Sequence, residues 1–284
     1  MNKWIVLFTT ISLISCNAKK DENDAISADT AVTESVASAL SSLADEQSGA
    51  SMAKAERTLM TLLLPRAYAE VCQRPFYESC QSGLKADTYN SCPLYLGTIS
   101  GEASLAYSNS SCSLSSSGQS VSRNYDFTVT GPRGGTYSVS SDTYVDYKGD
   151  SYGGGETLTK TNSGWSVDIL GRHKTFITRR GREGYNVSIR TLQAYNITGS
   201  LARSSRTVDG GQIEVNHNLA GFTATVTPSQ IQWDNSCCHP VAGTLSVTYT
   251  GARTGSASIE FLGCGSAQIV RAGQTENLGL SYCE

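Results

Sequence analysis

Residues 245–249 read Leu-Ser-Val-Thr-Tyr and residues 257–261 read Ala-Ser-Ile-Glu-Phe, so apolar and polar side chains alternate in both stretches. The same alternation recurs at residues 125–129, 165–169 and 222–226. Successive side chains of a β-strand point to opposite faces, so this period indicates strands with one buried and one solvated face. We therefore expect an all-β domain of antiparallel strands.

Tyr137, Val139, Val145 and Tyr147 also share one parity, which predicts a strand across residues 136–147. Turn signals rich in glycine separate the runs. They are Gly131-Pro132, Gly134-Gly135, Gly153-Gly154-Gly155, Asn162-Ser163-Gly164, Asp209-Gly210-Gly211 and residues 251–255. Short strands joined by such turns are typical of a meander, a sandwich or an open barrel.

The first fifteen residues combine Lys3 with an apolar run over residues 4–14, which is too short for the roughly 20 residues that span a bilayer. They predict a secretory signal peptide. The run ends in Leu13-Ile14-Ser15-Cys16, which resembles the lipobox of bacterial lipoproteins. The resemblance implies that Cys16 is lipidated and attaches the chain to a membrane, and Asn17 in place of Asp favours the outer membrane. The alternative is an ordinary cleaved signal.

Residues between the signal and the strands are rich in Ala, Ser, Asp and Glu, too polar to build a core alone. Val32, Val36 and Leu40 recur at helical spacing, which predicts a helix over residues 29–45, and a second helix is expected over residues 52–64. The predicted organisation is a signal peptide (1–15), a lipidated, partly helical or disordered tether (16–69), and a β domain (70–284).

Eight cysteines remain besides Cys16, an even number that predicts disulfides in an oxidising compartment. They form two groups in the sequence, Cys72, Cys80, Cys92 and Cys112, and Cys237, Cys238, Cys264 and Cys283. Adjacent strand residues point apart, so Cys237 and Cys238 should pair with different partners, Cys264 and Cys283. The alternatives are a vicinal Cys237–Cys238 ring and pairs between the two groups.

Composition excludes some functions and leaves others open. The chain has 284 residues, 17% charged, with a net charge of −3, which predicts no nucleic-acid partner. His173, His217 and His239 lie in no recognised catalytic motif, and we predict no catalytic residue, metal or cofactor. Cys237-Cys238-His239-Pro240 is the alternative for a soft metal, and paired carboxylates or a serine hydrolase's His-Asp pair are further alternatives.

A basic stretch in this acidic protein predicts a site for an anion or a partner. It comprises Arg172, Lys174, Arg179, Arg180, Arg182 and Arg190, against Asp168 and Glu183. Lipid phosphates, anionic glycans or an acidic protein would fit it. The alternative is a charged edge that discourages aggregation.

Two further hypotheses concern residues 137–155. Clustered tyrosines suggest sugar stacking, although tyrosine is also an ordinary strand residue; they are Tyr137, Tyr144, Tyr147 and Tyr152. Asp142, Asp146 and Asp150 could hold calcium, although their spacing differs from an EF-hand loop.

Residues 237–265 resemble a pattern in uncharacterised exported bacterial proteins, and that resemblance implies no activity. We therefore expect a membrane-anchored envelope lipoprotein with a binding or scaffolding role, whose partner is an envelope glycan or another envelope protein. The alternatives are a hydrolase of glycan or peptide polymers, and a carrier of a lipid-like ligand, which would need an apolar cavity.

Overall fold

The computed structural model describes residues 29–40, 80–94, 97–237 and 239–280. Helix α1 covers residues 29–40, and a short 3-10 helix covers Arg203–Ser205. The strands are β1 (Leu84–Leu94), β2 (Gly97–Tyr107), β3 (Ser120–Thr130), β4 (Thr136–Ser140), β5 (Tyr144–Val145), β6 (Ser151–Tyr152), β7 (Gly155–Lys160), β8 (Gly164–Ile177), β9 (Glu183–Gln193), β10 (Tyr195–Gly199), β11 (Arg206–Asp209), β12 (Gln212–His217), β13 (Phe222–Trp233), β14 (Pro240–Gly251), β15 (Gly255–Gly263), β16 (Ser266–Arg271) and β17 (Gln274–Gly279).

Fifteen strands form one antiparallel sheet, and β5 and β6 form a separate hairpin. The order along the sheet is β1-β2-β3-β4-β8-β10-β11-β13-β14-β15-β16-β17. β7 lies between β3 and β8, and β9 and β12 lie between β8 and β13. The expected all-β, antiparallel fold is confirmed, and of the three predicted forms the sheet is a large meander.

Alternation predicts burial well in most strands. Leu245, Val247 and Tyr249 are buried, as are Ile259 and Phe261 on the neighbouring strand. Residues 136–147 differ from the prediction, because β4 ends at Ser140 and Val145 is 57% exposed. The chain leaves the sheet there and forms the β5–β6 hairpin, so shared parity did not mean one strand.

The signal Asp209-Gly210-Gly211 also has a different role from the predicted turn. Asn196 of β10 pairs with Asp209 of β11, and Gln193 of β9 pairs with Gln212 of β12. β11 and β12 therefore run one after the other beside β10 and β9, which are also consecutive in the sequence. Gly211 has a φ of +74°, and a Cβ there would lie 2.7 Å from the carbonyl oxygen of Ala194. The glycines therefore allow a bend within a strand.

Helix α1 lies against the apolar face of the sheet. Val36 and Leu40 are fully buried in one cluster with core residues such as Ile189 and Ala224. The predicted helix is confirmed over residues 29–40, and it forms part of the core of the β domain as well as part of the predicted tether. The second predicted helix lies outside the described residues, and none of the described helices is long and apolar enough to cross a membrane.

Two disulfides between described residues join segments that lie outside the strands. Cys80 pairs with Cys112 and Cys237 pairs with Cys264, with Cα–Cα distances of 5.9 and 5.6 Å. Cys92 is disulfide-bonded as well. Both pairs stay within their predicted group, and a vicinal ring is excluded because Cys237 bonds elsewhere. The disulfides indicate an oxidising compartment outside the cytoplasm.

Candidate functional site at the arginine end of the sheet

Two hairpin turns with the same construction present arginines to solvent. In residues 131–135, Gly134 N donates to Gly131 O (2.9 Å) and Gly131 N donates to Gly135 O (2.8 Å). In residues 178–182, the same two hydrogen bonds recur at 2.8 and 2.9 Å. Gly134 and Gly181 occupy the positive-φ position that a type I turn with a bulge requires. The exposed corners of the two turns are therefore formed by Arg133, Arg179, Arg180 and Arg182.

The two turns are neighbours because Thr136 pairs with Ile177. A Cβ added to Gly134 would lie 3.7 Å from Cγ of Arg179. Strand registers place three more turns at this end of the sheet, at residues 218–221, 252–254 and 272–273. We call these five turns together the arginine end.

The arginines of the first two turns have no ion-pair partner within the described part of the chain. This holds for Arg133, Arg179, Arg180 and Arg182. The carboxylate beside them, Glu183, accepts a hydrogen bond from Asn186 Nδ2 at 2.8 Å. Four guanidinium groups on two adjacent turns, each with a fork of donors, match the geometry of phosphate or carboxylate oxygens.

The other members of the predicted basic site lie elsewhere. Arg172 and Lys174 are 4% and 1% exposed and point to the apolar side of the sheet. Arg172 Nη2 lies 3.3 Å from Glu156 Oε1, and Lys174 Nζ donates to Ser38 Oγ of α1 at 3.1 Å. Placing these two residues on the same surface as Arg179, Arg180 and Arg182 is therefore wrong. Anion binding by the three turn arginines stays a prediction.

Arg190 is also ion-paired, in a polar network next to the β5–β6 hairpin. Its Nη2 lies 2.9 Å from Glu214 Oε1, and Lys148 Nζ lies 3.5 Å from Glu214 Oε2. Lys148 Nζ also lies 3.7 Å from Asp146 Oδ2. Asp150 Oδ2 lies 3.4 Å from the same ammonium group, so three carboxylates share Lys148 Nζ. These side chains are thus held in ion pairs within the network.

Asp146 is the hub of this network, and its side chain is fully buried. It accepts hydrogen bonds from the Tyr152 hydroxyl (2.6 Å) and from the backbone N–H groups of Lys148 (2.8 Å) and Asp150 (2.9 Å). Burial opposes ionisation, but these hydrogen bonds outweigh it and lower the pKa of Asp146. Its oxygens hold the hairpin, and no cluster of metal-binding side chains occurs among the residues the structure describes.

The tyrosines of the predicted cluster contact other residues of the β domain. Tyr152 is buried, and burial followed by its hydrogen bond to Asp146 raises its pKa. Tyr144 stacks on His173 with ring centroids 3.6 Å apart, and the Tyr147 hydroxyl lies 2.9 Å from Thr223 Oγ1. Tyr137 packs on a small apolar cluster of β2, β3 and β4. Tyr152 is therefore not available to a sugar, whereas Tyr147 is 36% exposed, and sugar stacking stays a prediction.

The three histidines contact no carboxylate within the described ranges. His173 Nε2 lies 3.0 Å from Asn186 Oδ1, and His217 Nδ1 accepts from Ala220 N at 3.2 Å. His239 is 5% exposed and its Nε2 has no partner among the described residues. Burial lowers the pKa of all three, which makes each a neutral packed ring at neutral pH. The metal alternative also loses Cys237, whose sulfur is in a disulfide.

A cavity of about 340 Å³ lies at the opposite end of the sheet, near the start of β8. Its lining includes Trp165, Asn196 and Asp209. Lys160 Nζ lies 4.2 Å from the centroid of the Trp165 ring, and Trp165 is only 9% exposed, so this ring offers little surface for stacking. The lining combines polar side chains with the apolar Trp165 and Ile197, whereas a carrier of a lipid-like ligand would need a predominantly apolar cavity.

The prediction from sequence missed Arg133 as a member of the basic surface. This residue lies in the turn of residues 131–135, far along the chain from residues 178–182. The run Gly-Pro-Arg-Gly-Gly predicts an exposed turn, but only the pairing of β4 with β8 brings that turn beside Arg179.

No protein family, no curated protein and no solved structure matches this chain. Its class therefore follows from its own features: an all-β, antiparallel, disulfide-bonded protein with a helix in its core.

Proposed function

We propose that this chain is a membrane-anchored lipoprotein of the bacterial cell envelope, and that its β domain has a binding or scaffolding role there. Cys16 is the proposed site of lipid attachment, and Asn17 favours the outer membrane. The arginine end is the proposed working surface, and its partner is anionic. The proposal is supported by one observation above all, the four arginines on adjacent turns that form no ion pair within the described residues.

Electrostatics favour this surface over the rest of the protein. The chain carries a net charge of −3, so a local group of four unpaired cations is opposite in sign to the charge of the whole chain. Exposed cations of this kind raise the association rate and affinity for anions, and the effect weakens with salt. The neutral histidines and the shared Lys148 give the hydrolase alternative no support among the described residues.

The anchor is tested by mass spectrometry of the mature protein from its native membrane. We expect an acylated amino terminus at Cys16. An unmodified amino terminus further along the chain would remove the anchor from the proposal.

The binding surface is tested on an immobilised polyanion such as dextran sulfate. We expect the protein to be retained, and the triple variant Arg179→Gln/Arg180→Gln/Arg182→Gln to elute at clearly lower salt. The matched control is Lys85→Gln, since Lys85 lies at the start of β1, at the other end of the sheet. Equal elution of the parent protein and the triple variant would rule out the arginine end as the binding surface.

A further inference from the structure

The arginine end also holds the beginning of helix α1. Asp29, the first described residue of the helix, forms ion pairs with Arg253 in the turn of residues 252–254 and with Arg271 at the end of β16. Cys16 precedes Asp29 by thirteen residues, which can span at most about 45 Å. A lipid on Cys16 would therefore keep the start of α1 within about 45 Å of the bilayer, and the anchor segment would enter the domain at this end of the sheet.

The two ends of the sheet differ in charge. β13 has twelve residues, which separates the ends by about 40 Å. The described loops of the far end contain only Arg203, which is buried, and Asp234 as charged residues; these loops are residues 80–83, 108–119, 161–163, 200–205, 234–237 with 239, and 264–265. The exposed unpaired arginines are thus concentrated at the end where the anchor segment enters.

Exposed apolar side chains accompany the arginines. Leu219, in the turn of residues 218–221, is 48% exposed, and Phe176 and Ile177 at the end of β8 are each 39% exposed. A surface that combines cations with exposed apolar side chains is typical of proteins that lie on anionic membranes.

We infer that the arginine end rests on an anionic phospholipid surface, with the guanidinium groups of Arg133, Arg179, Arg180 and Arg182 on lipid phosphates. Leu219 and Phe176 reach the boundary between the headgroups and the acyl chains. The inference rests on the proposed function, because the proposed lipid anchor joins the domain at this end of the sheet. Its occupant is a bilayer surface and not a soluble polyanion.

The test uses the mature chain, residues 16–284, with Cys16→Ser so that no lipid contributes to binding. Phosphatidylcholine vesicles with and without phosphatidylglycerol are sedimented with the protein. We expect binding only to the anionic vesicles, and a loss of about a hundredfold in Arg179→Gln/Arg180→Gln/Arg182→Gln. The corresponding triple lysine variant should retain most of the binding. Binding to an anionic lipid surface depends on positive charge more than on the paired N–H donors of a guanidinium group.

Orientation is tested with a matched pair of exposed leucines, Leu219 at the arginine end and Leu262, 52% exposed, at the far end. In Leu219→Trp we expect a blue shift and quenching by brominated lipid, and in Leu262→Trp neither change. Quenching in Leu262→Trp alone would overturn the proposed orientation. Failure to bind vesicles, with retention on dextran sulfate preserved, would overturn this inference and leave the proposed function standing; loss of both would overturn both.

Discussion

Asp29 of helix α1 and Arg253 of the β14–β15 turn form an ion pair of 2.8 Å, although they lie far apart in the sequence. The Tyr249 hydroxyl donates to the same carboxylate at 2.6 Å, and Arg271 also contacts it. The carboxylate is fully buried, so these partners replace the water that it loses. The contact fixes the start of the helix at one end of the sheet.

Replacing Asp29 should destabilise the fold. Asp29→Ala removes the buried carboxylate that Arg253, Arg271 and the Tyr249 hydroxyl contact, and we expect a loss of about 3 kcal/mol in the free energy of unfolding. Asp29→Asn keeps an acceptor for Tyr249 and should lose less. Urea unfolding measures both variants, and an unchanged midpoint in Asp29→Ala would show that the helix is not docked as described.

The hairpin network predicts unequal effects for two tyrosines. Tyr152→Phe removes a buried donor to Asp146 and should cost about 2 kcal/mol. Tyr147→Phe removes the contact with Thr223 at a ring that is 36% exposed, and should cost less than about 1 kcal/mol. Thermal or urea unfolding compares them, and equal losses would contradict the central place of Tyr152.

The Cys237–Cys264 disulfide closes a segment with a sequence separation of 27. By the chain-entropy relation, Cys237→Ala/Cys264→Ala should lose about 3.5 kcal/mol. The measurement is urea unfolding under oxidising conditions. A loss below about 1 kcal/mol would mean that the crosslink adds little to the stability of the native fold.

Acid should weaken the fold below about pH 6.5. Burial lowers the pKa of His173, His217 and His239, so the unfolded chain takes up protons at a higher pH than the folded chain does. Stability is therefore full above the ordinary histidine pKa and falls as the pH drops towards the folded values. Urea midpoints at about pH 8 and about pH 5.5 measure this, and His217→Gln should reduce the difference. A pH-independent midpoint would contradict the prediction.

Much of the local structure could be predicted from the sequence. The alternation at Leu245, Val247 and Tyr249 predicts strands correctly, because burial of one face imposes a period of two. The glycine signals locate turns because few other residues adopt positive φ. Val32, Val36 and Leu40 predict helix α1, but its burial in the core depends on contacts that are distant in the sequence.

The direction of the basic side chains could not be predicted in this way. Ile169 and Arg172 both face the apolar side, although their parities differ, because the pairing of β7 with β8 shifts register between Gly155 and Glu156. One extra residue in a strand sends every later side chain to the other face. This shift separates Arg172 and Lys174 from the turn arginines.

The alternating runs that form strands, the positions of most turns and the two groups of cysteines are all predictable from the sequence alone, because they depend on neighbouring residues. The position of Arg133 beside Arg179 at one end of the sheet, and the binding of Asp29 at the same end, depend instead on the three-dimensional fold. Strand order and register bring such residues together, and both follow from the packing of the whole core.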